Sequence, residues 1–234
     1  MQNTKESWDL LSKAYENSPI ASGRTEESLT PTAKDIIKKL KLSKKTSLLE
    51  VGCGNAFLLS ILRTSVKSIA GTDFSEEQIK QAKKLVKAKL HVAEANKLPF
   101  KDNSFDRVLC YSVFHYFPSY EYAKQTIKEL IRVCKPSGLI LIGDIPSKQH
   151  KSKFLNPSHK NPLLTPLKII KFRLTLFKNK ITKNKSSFVA TWLWFNLQEL
   201  AAYVFSLGYA AEILPQPPTL DSCKYRFDIL IEKD

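Results

Sequence analysis

The sequence has no Cys-x-x-Cys pair, no apolar run long enough to span a membrane, and no acidic residue between Asp144 and Glu199. The four scattered cysteines therefore favour reduced thiols over a disulfide framework or a zinc site, and we expect no metal. The missing apolar run argues against a transmembrane helix. Because the amino terminus also lacks a basic start followed by an apolar core, the sequence predicts a cytoplasmic protein.

The stretch without acids is strongly basic. It contains 11 Lys/Arg residues, which supply most of the net charge of +15 over 234 residues. An uneven distribution of this kind indicates a local basic surface rather than a uniformly basic protein. A lysine-biased genome would give a similar composition, and this alternative stays open.

What the sequence does contain is a strand, tight turn and helix pattern around Gly52 and Gly54. An apolar run over 48–51 leads into Gly-x-Gly, and apolar residues at helical spacing follow over 57–62. Glycine allows a sharp turn or the close approach of a ligand. A helix that begins directly after the turn offers unpaired backbone N–H groups to an acceptor.

The pattern continues with regular alternation. Apolar strands are predicted at 47–52, 68–73, 90–95, 105–111 and 139–144, with helical segments between them. Such alternation predicts a parallel sheet covered by helices on both faces. In these sheets ligands bind outside the carboxyl ends of the strands.

Two acidic residues lie near the carboxyl ends of the first two predicted strands. Glu50 stands two residues before the first glycine, and Asp73 ends the second strand, where a carboxylate can accept hydrogen bonds from both hydroxyls of a ribose. Glu-x-Gly-x-Gly followed by a strand-end Asp resembles the cofactor site of the class I S-adenosylmethionine (SAM) methyltransferases. Ala56 stands where a dinucleotide fingerprint would have its third glycine, which argues against NAD.

The resemblance is strongest to the small-molecule branch of that family, with its type 11/25-like domains. It implies a Rossmann-like seven-stranded sheet, mostly parallel, in which 210–214 and 225–231 form the last two strands and the final strand is antiparallel. The whole chain, 1–234, then forms one domain. Residues 1–40 form a helical flap, and residues 146–190 form a basic cap inserted between the fifth strand and the last helix.

The resemblance also implies which residues contact SAM. Asp73 takes the ribose hydroxyls, Phe74 gives adenine an apolar wall, and Glu50 faces the ammonium end. Glu94 and Ala95 stand where the family usually has Asp-Ala at the adenine edge. The full predicted cofactor set is Glu50, Gly52, Cys53, Gly54, Asp73, Phe74, Glu94, Ala95, Tyr111 and Ser112.

Two further residues are candidates for catalysis. His115 follows the fourth strand and has a pKa range suited to a general base, and Asp144 ends the fifth strand. Because the methyl group of SAM is already activated, a base is needed only if the acceptor must lose a proton. Both residues also have structural interpretations: His115 as a side chain packed among aromatic residues, and Asp144 as a cap of the following turn.

The predicted activity is methyl transfer to a small-molecule acceptor, such as a hydroxyl of a sugar or related metabolite. The fourth strand is not followed by the Asn/Asp-Pro-Pro-aromatic or Pro-Cys signatures, which argues against duplex DNA as substrate. Two alternatives remain: a non-catalytic SAM- or nucleoside-binding protein, and an RNA-modifying enzyme that uses the basic cap. The apolar face of the cap over 163–177 favours a lid helix that packs on the active site with its lysines in solvent. An anionic membrane surface, a phosphate-bearing substrate or nucleic acid would also suit these lysines.

Overall fold

The computed structural model of the protein describes residues 5–22, 26–155 and 192–233. The described strands are β1 (Ser47–Val51), β2 (Ser68–Asp73), β3 (Lys89–Val92), β4 (Phe105–Tyr111), β5 (Cys134–Pro146), β6 (Ala210–Pro215) and β7 (Arg226–Lys233). The described helices are α1 (Lys5–Ala14), α2 (Glu26–Lys39), α3 (Phe57–Leu62), α4 (Glu76–Leu85), α5 (Tyr120–Val133), α6 (Lys151–Leu155) and α7 (Leu197–Ser206).

All seven strands form one sheet in the order β3-β2-β1-β4-β5-β7-β6. Strands β1 to β5 pair in parallel, and β7 runs antiparallel to both of its neighbours. The predicted Rossmann-like topology is therefore confirmed. The strand order reverses between β1 and β4, which leaves a crevice at their carboxyl ends where ligands bind in such sheets.

Alternate residues of the central strands fill two hydrophobic cores, one on each face of the sheet. Leu49 and Val108 belong to the core beneath α5 and α7, whereas Leu48 and Leu109 belong to the core beneath α2, α3 and α4. Because both faces are covered, these strands are apolar almost throughout. The continuous apolar runs in the sequence result from this burial.

The second helix contains a proline. Thr30-Pro31 has the pattern of a helix start, but α2 begins at Glu26 and continues through Pro31. The reason is the buried side chain of Leu29, which extends the apolar face of Ala33, Ile36 and Leu40 toward the amino terminus. Pro31 lies in the second turn, where its missing N–H removes one bond to the carbonyl four residues earlier, and the packing of this apolar face outweighs that loss.

The basic cap lies mostly outside the described residues, including the predicted helix face over 163–177. The structure does describe the two ends of the cap, which we call its roots: α6 on one side and the residues from Trp192 on the other. The ring of Phe154 in α6 lies 5.1 Å from that of Trp192, so both roots meet at one place. None of the helices that the structure describes is long and apolar enough to cross a membrane.

Candidate active site

A cavity of about 730 Å³ opens at the carboxyl ends of β1, β2 and β4. This is the crevice that the reversal of strand order creates. Eight of the ten predicted cofactor residues line it: Gly52, Gly54, Asp73, Phe74, Glu94, Ala95, Tyr111 and Ser112. The sequence pattern therefore assembles as one site, although these residues come from separate parts of the chain.

The turn after β1 explains the requirement for glycine. Gly52 has a φ of 74°, and a Cβ added there would meet Val113 Cγ2 at 2.4 Å. The backbone N–H groups of Gly52 and Cys53 both donate to the carbonyl of Thr72, at 2.7 and 2.9 Å. These bonds tie the turn to the end of β2 and keep the backbone, rather than a side chain, at the cavity surface.

Asp73 connects the two strand ends at the cavity floor. One carboxylate oxygen accepts a hydrogen bond from the N–H of Gly54 at 2.8 Å, and the other accepts one from the N–H of Ser75 at 3.0 Å. Each oxygen of a carboxylate can accept about two hydrogen bonds, so a carboxylate at this position can hold the turn and still face the cavity. Asp73 thus both shapes the glycine turn and presents a charge to the cavity.

Glu94 stands at the opposite wall, just beyond β3. Its Oε2 accepts a hydrogen bond from the hydroxyl of Tyr122 at 2.6 Å. Burial and the adjacent Glu94 carboxylate raise the pKa of Tyr122 above its ordinary value. The phenol therefore stays protonated at neutral pH, and the pair forms a fixed polar edge on an otherwise apolar wall.

Two predicted cofactor residues are placed differently. Glu50 and Cys53 are fully buried and are not among the described residues that line the cavity. The sulfur of Cys53 packs against Gly71 of β2, on the sheet side of the turn. Cys53 therefore contributes to the turn through its backbone, and a contact between Glu50 and the cofactor stays a prediction.

Ser112 and Asp144 are joined at the ends of β4 and β5. Both have left-handed backbones, with φ of 65° and 61°, a conformation that costs non-glycine residues roughly 1–3 kcal/mol. The Ser112 hydroxyl donates to Asp144 Oδ2 at 2.5 Å. Ser112 lines the cavity, and Asp144 acts behind it.

Asp144 has a second partner that the sequence did not reveal. Arg226, at the start of β7, donates from Nη1 to Asp144 Oδ2 at 2.5 Å. The guanidinium carbon also lies 4.4 Å from the ring centroid of Trp192, which lines the cavity. Arg226 thus connects the strand ends to the root of the cap.

Aromatic side chains form the outer wall of the cavity. Trp8 from α1 and Tyr116 meet edge to face with ring centroids 4.9 Å apart, and both line the cavity. His115 is 1% exposed, with its ring 4.0 Å from Tyr116 and 5.2 Å from Trp192. His115 is not among the described residues at the cavity surface, so it supports this wall from behind.

Sequence reasoning missed part of this wall. Tyr116, Phe117 and Tyr122 line the cavity but were not selected. The aromatic residues that follow β4 were a usable signal for the first two. Trp192 also lines the cavity, and no local pattern marks it, because it follows the cap in the sequence.

The chain was compared with known proteins. Residues 49–142 match the sequence family described as methyltransferase domain. Residues 49–142 therefore form a methyltransferase domain, and the fold of the chain is that of the class I SAM-dependent methyltransferases. Demethylmenaquinone methyltransferase of Listeria welshimeri is 35% identical over 114 residues, which are 45% of this chain and 47% of that protein. Chondramide synthase of Chondromyces crocatus is 26% identical over 148 residues, 60% of this chain and 4% of that protein.

Solved structures agree with the fold of the methyltransferase domain. A SAM-dependent methyltransferase from Aquifex aeolicus has a TM-score of 0.59 at 17% identity, with 96% of this chain and 97% of that one covered. Phosphoethanolamine N-methyltransferase 1 of Haemonchus contortus, in complex with phosphoethanolamine and S-adenosylhomocysteine, has a TM-score of 0.65 at 14% identity, with 97% and 47% covered. This chain spans less than half the length of the two curated relatives described above.

The cavity fits the cofactor of this domain family. Its volume falls in the range of about 300–1,000 Å³ that encloses small ligands. Asp73 and Glu94 offer carboxylates to hydroxyl and amino groups, and the glycine turn leaves space for a ligand near the backbone. Among the described residues, no group of three His, Cys, Asp or Glu side chains could hold a metal ion.

Proposed function

We propose that the protein transfers the methyl group of SAM to a small-molecule acceptor bound in the same cavity. The observation that supports this most directly is the convergence of the glycine turn, Asp73 and an aromatic wall around one enclosed space. SAM supplies a methyl group that is already activated by the positive sulfur. The protein then contributes mainly alignment of the two reactants and exclusion of water.

Each wall has a role in this proposal. Asp73 accepts hydrogen bonds from the ribose, and Phe74 contacts the adenine ring. Gly52 and Gly54 let the backbone approach the rest of the cofactor. Trp8 and Tyr116 cover the side from which water would enter. Glu50, buried in β1 just before the glycine turn, is assigned to the ammonium end of the cofactor.

For the acceptor, the lining favours a flat, largely apolar ring over the sugar that the sequence suggested. The outer half of the cavity is made of Trp8, Val113, Tyr116, Phe117, Pro118, Trp192 and Leu193. Burial of an aromatic face against such a wall has a favourable free energy, whereas sugar hydroxyls placed there would lose their hydrogen bonds with water. The relative named demethylmenaquinone methyltransferase, whose named acceptor is a quinone, supports the same choice.

Asp144 and His115 are proposed to assist rather than to meet the acceptor directly. Asp144 holds the Ser112 hydroxyl as a donor toward itself, which leaves the serine oxygen free to accept a hydrogen bond from an acceptor hydroxyl. His115 keeps Tyr116 and Trp192 in place. A general-base role for either residue is needed only for an acceptor that must be deprotonated.

Calorimetric titration with SAM, S-adenosylhomocysteine and NAD tests the cofactor assignment. We expect micromolar binding of both sulfur nucleosides, no binding of NAD, and a loss of about tenfold or more in Asp73→Ala. Asp102→Ala serves as control, because Asp102 is an exposed carboxylate outside the cavity that pairs with Arg132. NAD binding, or equal losses in both variants, contradicts the assignment.

The acceptor is tested with labelled SAM and a matched set of phenols, quinols and sugars. Transfer to the ring compounds supports the proposal, and transfer to sugars alone contradicts it. Cofactor binding without transfer to any compound would favour the non-catalytic SAM-binding protein. Salt-sensitive transfer to one RNA would favour the RNA-modifying alternative.

The remaining parts of the proposal concern location and the cap. The four cysteines, all described, are free thiols, which supports a reducing, cytoplasmic compartment.

The basic cap over 146–190 is proposed to meet an anionic membrane surface or a phosphate-bearing substrate. Retention on anionic vesicles, and not on neutral ones, at physiological salt is the measurement for the first of these.

A further inference from the structure

A second concave site lies at the other end of the sheet. It has a volume of about 800 Å³ and is bounded by the amino ends of β1, β2, β3 and β4, which are adjacent in the sheet. We call it the amino-edge groove; its lining is Ser47, Arg63, Lys67, Ser68, Ile69, Ala70, Lys87, Ala88, Lys89, Phe100, Ser104 and Phe105.

Four cations surround this groove. Arg63, Lys67, Lys87 and Lys89 are exposed, and none of their side chains forms a hydrogen bond or ion pair within residues 5–22, 26–155 and 192–233. None of the described residues that line the groove is acidic. Cations that lie close together without counter-charges repel each other. The low-dielectric wall of a concave site also strengthens their electrostatic attraction for an anion.

The nearest acid along the chain is already neutralised. Asp106 follows the lining residue Phe105, and its Oδ2 accepts hydrogen bonds from the backbone N–H and the hydroxyl of Ser47, at 2.8 and 2.6 Å. Its Oδ1 pairs with Lys135 Nζ at 2.9 Å. Asp106 therefore offers little compensation to the four cations.

More positive charge flanks the groove at the same edge. Lys44 and Lys45 immediately precede β1, and Lys101 precedes β4, all with exposed side chains. The groove itself also has an aromatic base, with Phe100 and Phe105 edge to face at 4.9 Å. The hydroxyls of Ser47 and Ser104 already donate to Asp106 and to the carbonyl of Lys101, so the four cations are the main donors for phosphate oxygens, which accept several hydrogen bonds at once.

We propose that the amino-edge groove binds an anion that has two or more phosphate groups. Several separated cations favour more than one phosphate, and the bounded volume favours a free molecule over a long polymer. The groove shares no lining residue with the methyl-transfer cavity. The length of β2 separates the two by roughly 15 Å, so the ligand is not the methyl acceptor.

The test uses inorganic triphosphate, which contains no adenosine and does not compete for a nucleoside site. Calorimetry is done on the whole chain with and without saturating S-adenosylhomocysteine. We expect triphosphate binding that is unchanged by the nucleoside and weakened about tenfold or more in Lys67→Gln/Lys89→Gln. The matched control Lys83→Gln/Lys128→Gln removes the same charge from exposed positions on α4 and α5 and should bind as wild type does.

Three results would overturn the proposal. The first is no triphosphate binding by the wild-type protein, and the second is equal weakening in both double variants, which would indicate net charge alone. The third is binding of a short RNA without binding of triphosphate, which would make the ligand a polymer. Because triphosphate binding is measured without any methyl transfer, failure here leaves the proposed methyltransferase activity untouched, and the reverse also holds.

Discussion

The guanidinium of Arg226 donates a hydrogen bond of 2.5 Å to the carboxylate of Asp144. Arg226 is 5% exposed, and the Asp144 side chain is 13% exposed, so the pair is largely withdrawn from water. Removal of one member of such a pair leaves the other as an uncompensated charge, which costs roughly 3–5 kcal/mol. This relationship fixes Ser112 at the cavity floor and supports Trp192 at its wall.

We therefore expect Arg226→Met to lower the free energy of unfolding by about 3 kcal/mol, measured by urea denaturation. Adding Asp144→Asn should recover part of that loss, because the double variant no longer buries an unpaired carboxylate. Lys84→Met is the control, since Lys84 pairs with Glu16 at the surface, with side chains 57% and 48% exposed, and should cost about 1 kcal/mol or less. Equal costs for Arg226→Met and Lys84→Met would contradict the buried-pair argument.

Gly52→Ala should abolish measurable binding of S-adenosylhomocysteine by calorimetry. The new methyl group would meet Val113 at 2.4 Å, and the backbone there has a φ of 74°, so the turn must move. Gly208→Ala is the matched control: its φ is 90°, but nothing lies within 4 Å of an added Cβ. That change should cost stability, about 1 kcal/mol, and leave binding intact. Normal binding by Gly52→Ala would show that the turn does not shape the site.

The sequence predicted the bounds of the strands more accurately than the contacts that their residues make across the sheet. β2 and β4 have the predicted bounds, since buried strands are apolar and their ends are marked by polar residues. Asp144 was identified at a strand end, but Arg226 was not. The contact depends on the register of β5 with β7, which places Pro146 opposite Arg226, 80 residues later.

The same limit applies to the acceptor side of the cavity. Most of the predicted cofactor residues line the cavity because they follow strand ends, and the family resemblance implied their roles. Trp192 reaches the cavity because the chain returns there after the cap, and Lys39 meets Asp228 at 2.7 Å across 189 residues. No local pattern specifies contacts at such separations. The assembly of Trp8, Tyr116 and Trp192 into one wall of the cavity was therefore visible only in three dimensions.

Asp228 should give the protein a characteristic pH dependence. Burial raises its pKa from 3.8 to about 6, against the opposing effect of Lys39. Between these values the folded chain holds a proton that the unfolded chain has lost, so the stability contribution of Asp228 falls as pH rises from about 4 to about 6 and is constant above. Two pKa units correspond to about 3 kcal/mol. The unfolding free energy of wild type minus that of Asp228→Asn should fall by this order over that window.

Asp106→Asn provides a control of opposite sign for that experiment. Burial acts to raise the pKa of Asp106, but hydrogen bonds from Ser47 and Lys135 lower it to about 2. The stabilisation by Asp106 is therefore present above its ordinary pKa and is lost as pH falls toward about 2. The difference between wild type and Asp106→Asn should rise over about pH 2 to 4. Parallel curves for the two variants would refute both assignments.

Trp8→Ala tests whether α1 closes the cavity. Trp8 is 7% exposed, lines the cavity and meets Tyr116 edge to face, and the neighbouring Asp9 accepts hydrogen bonds from Ser75 and Glu77 that hold α1 on α4. Without the indole, water enters the cavity, and we expect affinity for S-adenosylhomocysteine to fall about tenfold. Leu10→Ala is the control, because Leu10 lies on the same helix and is 67% exposed. If the two variants bind equally well, α1 is a surface helix and water is excluded by another part of the chain.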